Sequence, residues 1–193
     1  MKTILECFEL MKKLPLAKTV VVKNESDLTK INFPYYIKAS LSEHKLEKNA
    51  VLRIENIESA KKSFQDLQKN FSGIPILIQE QTLGTEMILG LKQDNVFGKL
   101  LMIGFGGTNA EVLKDVTFRA IPVNKAEIKT ALESLKLYPT LYKRKQFAVD
   151  RFVDLAFEVS KLPFSELDLN PVILNEKVAV IVDARGNIYA III

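Results

Sequence analysis

Three glycines within Gly104-Phe105-Gly106-Gly107 follow the apolar run KLLMI and lead at once into Thr108-Asn109-Ala110-Glu111-Val112-Leu113-Lys114-Asp115. Without a Cβ, such residues let backbone amides approach a ligand closely, and free N–H groups in a turn suit a phosphate. A strand-to-strand turn needing positive φ would use the same glycines. Glu111, Lys114, Asp115 and Arg119 tip the balance toward phosphate, because interleaved acids and bases beside such a loop fit a site for phosphates and a divalent ion. A second constellation is Glu166-Leu167-Asp168-Leu169-Asn170-Pro171. Strand periodicity puts Glu166, Asp168 and Asn170 on one face. Asp183 ends the later apolar run VAVIV, and pairing of the two strands would bring it to the same place. Carboxylate and amide oxygens are donors for a hard cation; Mg2+ is the natural choice, with nucleotide phosphates supplying further ligands. The competing use of Asp168 and Asn170 is a turn before Pro171.

Other positions carry less on their own. Lys38 ends an apolar strand after Pro34, where its stem packs and its ammonium reaches either solvent or a phosphate. Gln79-Glu80-Gln81 follows IPILI at the expected join of two lobes, where extended backbone would read an adenine edge. Glu86 faces the same crevice if its alternating strand runs back from that hinge. Cys7 sits at helical spacing among Ile4, Leu5, Phe8 and Leu10 and reads as a core residue, not a nucleophile.

The elements that must position these groups follow from periodicity. Met1–Lys13 is predicted as an amphipathic helix, KTVVV, YYIK and VLRI as strands, and Glu58–Phe71 as a helix stopped at Gly73. Ser26 is expected to cap a short helical turn through Lys30. From Ile74 onward come IPILIQ, EMILGL, KLLMIGF and VTFRAIPV with links short enough for antiparallel pairing. Lys125–Leu135 and Phe147–Leu162 read as helices, followed by strands at LDL, VIL and VAVIVDA and an apolar tail from Ile188. The order lacks a βαβ rhythm, so the expectation is an α+β fold of two lobes, 1–73 and 74–193, with the boundary near Gly73 to Thr82.

The 193 residues are 48% hydrophobic with a net charge of +4, and Lys and Glu are interleaved along most of the chain. A mixed solvated surface is favoured over a nucleic-acid patch, and even Lys143-Arg144-Lys145 reads as the end of a helix. No apolar run approaches the roughly 20 residues needed to span a bilayer. The expectation is a cytoplasmic protein without nucleic-acid or membrane partners.

In this order the motifs resemble the ATP-grasp family, in the version found in ADP-forming acyl-CoA synthetases and related protein acetyltransferases. The resemblance covers nearly the whole chain and rests on GTEMILGLKQDNVFG, similar to that group's G-x-E-x-I-x-G-x-x-x-D-x-x-F-G, on GFGGTNAEVLKDVTFRAIPV, and on ELDLNPVI with VDAR. It implies an ATP-grasp fold whose two α/β lobes clamp ATP or ADP. It assigns Lys38 to the phosphates, Gln79 to Gln81 to the adenine, Asn170 and Asp183 to Mg2+, and Glu86 and Glu111 to the cleft; the reading of the residues adds Asp168 to the metal donors and Gly106 and Gly107 to the nucleotide contacts.

The activity implied is that of an acid–thiol ligase subunit in a hetero-oligomer. Acyl-CoA and phosphate give an acyl phosphate, a histidine on a CoA-binding α-type partner accepts the phosphoryl group, and that histidine delivers it to ADP. His44, the single histidine, matches the His-Lys step of the family's His-Lys-Ser-Asp-x-Gly-Gly-Val loop, and Lys45 matches the lysine. The chain then departs, with Leu46-Glu47-Lys48-Asn49-Ala50-Val51 in place of Ser-Asp-x-Gly-Gly. Asn and Ala restrict φ where paired glycines would not, so the alternative expectation is a nucleotide-binding or regulatory subunit without turnover.

Overall fold

The valine-rich run after Pro15 forms β1 (Thr19–Val22), an edge of a four-stranded antiparallel sheet in the computed structural model of the protein, which describes residues 1–41, 50–107, 113–143 and 147–188. The other strands are β2 (Tyr35–Ala39), β3 (Val51–Ile54) and β4 (Ile76–Glu80), in the spatial order β1-β4-β2-β3. After a first helix, α1 (Ile4–Leu10), helix α2 (Ile57–Asn70) covers these strands, its start fixed by Asn56, whose side chain accepts the Ser59 N–H at 2.9 Å. Ala60, Phe64 and Leu67 recur at helical spacing and bury against Ile37, Ile54 and Ile78. Each such large side chain contributes about 1.5–3 kcal/mol of burial. The turn expected after Ser26 is a 3-10 helix over Glu25–Thr29 capped two residues earlier: Asn24 accepts from Ser26, and the Asp27 carboxylate accepts the N–H groups of Lys23 and Asn24.

The chain divides into two compact units, one comprising Thr3–Leu5 with Ala17–Thr82, the other Met1–Lys2, Glu6–Leu16 and Leu83–Ile193. This differs from lobes of 1–73 and 74–193. Strand β4 lies between β1 and β2 and bonds to both, so it cannot leave the first sheet, and the division moves to Thr82/Leu83. The start of the chain also joins the larger unit: Lys2 N–H donates to Gly186 O at 2.8 Å, and Ile181 N–H to Pro15 O at 2.9 Å.

In the larger unit, β5 (Thr85–Asp94), β6 (Gly98–Phe105), β7 (Val116–Ala120), β8 (Phe164–Leu174), β9 (Ala179–Ile181) and β10 (Arg185–Ile188) form an antiparallel sheet ordered β10-β8-β5-β6-β7, with β9 also on β8. The short links predicted antiparallel pairing, and the registers agree. Met87, Leu89 and Leu91 alternate inward on β5, as do Leu101, Ile103 and Phe105 on β6 and Leu167 and Leu169 on β8. Two helices, α3 (Lys125–Glu133) and α5 (Val149–Ser160), pack on each other and on this sheet, and the short α4 (Thr140–Lys143) lies between them in sequence. Among the described residues no helix is long and apolar enough to cross a membrane.

The segments LDL and VIL are one strand, β8, interrupted at a single level. Met87 pairs with Val172 and Leu89 with Leu169, leaving Asn170 and Pro171 together opposite Ile88. This is a bulge, and it accommodates Pro171, which has no N–H to give a ladder. The far edge of β8 breaks at the same level, since β9 pairs with Val172–Leu174 and β10 begins at Asp168. Residues 182–184 bridge that break, with Val182 and Asp183 N–H both directed to Pro171 O at 3.1 and 3.4 Å.

Candidate functional site

The outward face of the larger sheet gathers the first constellation. Opposite the inward Met87, Glu86 is exposed near the start of β5, and Gly106 N–H donates to its carbonyl at 2.7 Å. A Cβ built on Gly106 would lie 3.3 Å from Glu86 Cβ and 3.4 Å from Asn170 Oδ1. At Gly107, with φ +76°, the same atom would lie 3.0 Å from Glu86 Oε2. Glu86, Gly106, Gly107 and Asn170 therefore form one group, close enough that a methyl would crowd it. The glycines serve here for close approach, and at Gly107 also for a left-handed backbone.

Glu166, Asp168 and Asn170 do share the solvent side of β8 while Leu167 and Leu169 point inward. Their partners differ. Glu166 accepts from Asn187 Nδ2 at 3.1 Å, whereas Asp168 lies directly opposite Gly90 on one side and Arg185 on the other. Asp183 sits in the break between β9 and β10, beside Pro171. Its Oδ1 accepts the Ala184 N–H at 3.0 Å, and its Oδ2 lies 3.6 Å from Arg185 Nη2, the two side chains being 27% and 19% exposed. Arg185 Nη1 is buried and has no hydrogen-bond partner among the described residues.

These donors fit Mg2+. The ion takes hard oxygen ligands, holds few protein carboxylates, and leaves most of its shell to water and phosphate. Asn170 and Asp183 supply an amide oxygen and a carboxylate on adjoining backbone, since Asp183 N–H is directed to Pro171 O. Among the described residues no three His, Cys, Asp or Glu side chains converge as a self-sufficient cage. A cation held here would need ligand oxygens to complete its shell.

In the smaller unit, Lys38 is 7% exposed on β2, between Val51 on β3 and Leu77 on β4. Its Nζ donates to Gln79 Oε1 at 2.9 Å, Gln79 Nε2 donates to Thr19 Oγ1 at 2.8 Å, and Thr19 Oγ1 donates to Ala17 O at 2.9 Å. This corrects the picture of Gln79 as part of an open hinge. Gln79 is 1% exposed on a strand paired on both sides, so its amide holds the Lys38 ammonium. Glu80 is exposed at the end of β4, and Gln81 accepts from Arg53 Nε at 3.2 Å.

Two of the charges after the glycine loop, Asp115 and Arg119, make their contacts elsewhere. Asp115, 5% exposed, accepts the N–H groups of Lys136 and Leu137, each at 2.9 Å, and so fixes the end of the α3 segment. Arg119 turns onto its own strand, donating to Thr117 Oγ1 and Phe118 O. Glu111, His44 and Lys45 lie outside the described residues. Cys7 is fully buried, and burial pushes its thiol up to about 11, as suits a core residue. Arg185, in the VDAR motif, lies across the strand pair from Asp168, a placement that spacing alone does not reveal.

The ATP-grasp domain family matches residues 2–188. The chain is 29% identical to the β subunit of ADP-forming acetate–CoA ligase I from Pyrococcus furiosus, covering 89% of this chain and 84% of that one. It is 34% identical to the β subunit of ligase II from the same organism, covering 74% and 69%. Of some longer relatives it spans as little as 22%. Among solved structures, it resembles a chain of an acetyl-coenzyme A synthetase from Ca. Korarchaeum cryptofilum at 26% identity and a TM-score of 0.79, covering 95% and 90%. That structure is a complex with coenzyme A and Mg-AMPPCP, its phosphohistidine segment pointing towards the nucleotide binding site.

Proposed function

The chain belongs to the ATP-grasp family, in the branch holding the β subunits of ADP-forming acetate–CoA ligases, and on that premise we propose that it is the nucleotide-binding subunit of an ADP-forming acyl-CoA synthetase. It binds ATP or ADP with Mg2+ and moves a phosphoryl group between nucleotide and a histidine on a CoA-binding partner subunit. The observation that carries this reading is the convergence of Glu86, Gly106, Gly107 and Asn170 on one sheet face, with Asp183 alongside. The P. furiosus β subunits and the Mg-AMPPCP complex of the Korarchaeum protein support it.

Phosphoryl transfer asks a protein mainly to position its reactants and offset charge. Asn170 and Asp183 would hold the cation, with Asp168 on the same strand face. The Gly106-Gly107 backbone would approach the phosphates, and Lys38, oriented by Gln79, would supply a fixed positive charge. Mg2+, when bound, neutralises phosphate oxygens. In the transfer, the P–N bond to the partner's histidine breaks as a P–O bond to the terminal oxygen of ADP forms. As the family resemblance implies, His44 would take part in the phosphoryl relay, Lys45 would bind the nucleotide and Glu111 would line the cleft.

Calorimetric titration with ADP and ATP, with and without Mg2+, tests the reading against an Asn170→Ala/Asp183→Ala variant. Metal-dependent binding in the native chain and its loss in the variant are expected. A native chain that binds neither nucleotide overturns the proposal.

A further inference from the structure

Arg185 is a cation set directly against the carboxylates of the proposed Mg2+ site. Its Cα is the register partner of Asp168, and its Nη2 lies 3.6 Å from Asp183 Oδ2. A structural role for it is hard to find. Asp183 is already held by the Ala184 N–H on Oδ1, and the backbone of residues 182 and 183 is tied to Pro171 O, so neither depends on the guanidinium. The contact to Asp183 is longer than a hydrogen bond, and Nη1 is buried with its donors unspent among the described residues. Leaving a buried donor unmade is costly in a site built only for stability. The arrangement suits a charge that serves in one state of the site and changes partner in another.

Resting on the reading of this face as the metal-nucleotide site, we propose that Arg185 is a counter-cation that makes metal entry depend on nucleotide. Without nucleotide, the guanidinium offsets Asp168 and Asp183 and competes with a free divalent ion for them. Phosphates reverse the balance. They bring negative charge that the guanidinium then favours, and the cation meets a donor set complete enough to hold it. The consequence is strong positive coupling between metal and nucleotide, reciprocal by linkage. Arg185 thus acts as a positioning residue through charge and need not touch the reacting atoms.

Mn2+ binding followed by electron paramagnetic resonance, in the absence and presence of ADP, measures that coupling without catalysis. In Arg185→Met, affinity for Mn2+ alone should rise about tenfold, since an opposing charge at 4 to 6 Å from a partly buried site commonly shifts ionic equilibria by a factor of that order. Affinity in the presence of ADP should change much less, so the coupling factor falls. Arg185→Lys should retain most of the native coupling. Arg185→Gln, which keeps a donor for Asp183 without the charge, should behave as Arg185→Met and carries the test if the methionine variant does not fold. Unchanged or weaker Mn2+ binding in the neutral variants, while the native chain still binds Mn2+ with ADP, overturns the inference and leaves the functional reading standing. A native chain that binds no Mn2+ even with ADP overturns both.

Discussion

Replacing Gly106 by alanine tests the geometry of the site where Glu86 and Asn170 both close on one glycine. The added Cβ would stand 3.3 Å from the Glu86 carbonyl carbon and Cβ and 3.4 Å from Asn170 Oδ1. Carbon pairs prefer about 3.5–4.0 Å, so the overlap is a few tenths of an ångström. Gly106 N–H bonds Glu86 O at 2.7 Å, so moving Glu86 away sacrifices that bond, whereas Asn170 is exposed and free to swing. Relief should therefore displace the amide oxygen. We expect a stability loss of about 1–2 kcal/mol, at the low end for overpacking. At about 2–4 °C per kcal/mol for a chain of this size, Tm falls by roughly 2–8 °C. Affinity for Mg2+-ADP should fall about tenfold, or about 1.4 kcal/mol. Gly98→Ala is the control: its φ is +73° and no atom lies within 4 Å of the added Cβ, so it carries backbone strain of about 1–2 kcal/mol without touching the site. Differential scanning fluorimetry and calorimetry read the two effects. If Gly106→Ala binds as the native chain does, or Gly98→Ala weakens binding equally, the reasoning fails.

Lys38→Met removes the ammonium but leaves Gln79 Oε1 buried, and should cost about 1–3 kcal/mol of stability together with roughly tenfold in nucleotide affinity. Adding Gln79→Leu should recover stability but not affinity; recovery of both would make Lys38 purely structural. Asp115→Ala strips two backbone N–H groups of their acceptor and should cost about 2–3 kcal/mol in urea denaturation, with nucleotide affinity unchanged. Asp27 has its carboxyl lowered to about 2, chiefly by the Lys30 side chain and then by the Lys23 N–H. Its contribution to stability is whole above its ordinary 3.8 and is lost as pH falls through about 2, so urea midpoints compared between pH 5 and pH 2 should drop less in Asp27→Asn than in the native chain.

Elements with strong periodicity were legible in the sequence. The inward leucines of β5, β6 and β8 and the Ala60-Phe64-Leu67 stripe of α2 announce their own faces. What was not legible was pairing. Nothing in IPILI says that β4 inserts between β1 and β2, and that insertion moves the division of the chain and buries Gln79 beside Lys38. The charges near the glycine loop misled for a related reason, because a carboxylate such as Asp115 looks the same in sequence whether it meets a ligand or two distant amides. The cap at Asn24 was visible as Asn-x-x-Asp, a side-chain pair that competes directly with Ser26.

The two-against-one pairing at Asn170-Pro171 also inverts parity. Just before it, the odd-numbered Leu167 and Leu169 point inward; after it, the even-numbered Val172 and Leu174 do, with Val172 set against the buried Met87. One continuous strand thereby writes two messages in opposite phase, polar side chains on even positions and then core on even positions. A single-residue deletion at this point would turn the apolar end of the strand to solvent, whereas exchanges on either side leave the other half untouched. The site and the core of this lobe are thus free to diversify separately, provided the hinge between their phases keeps its length.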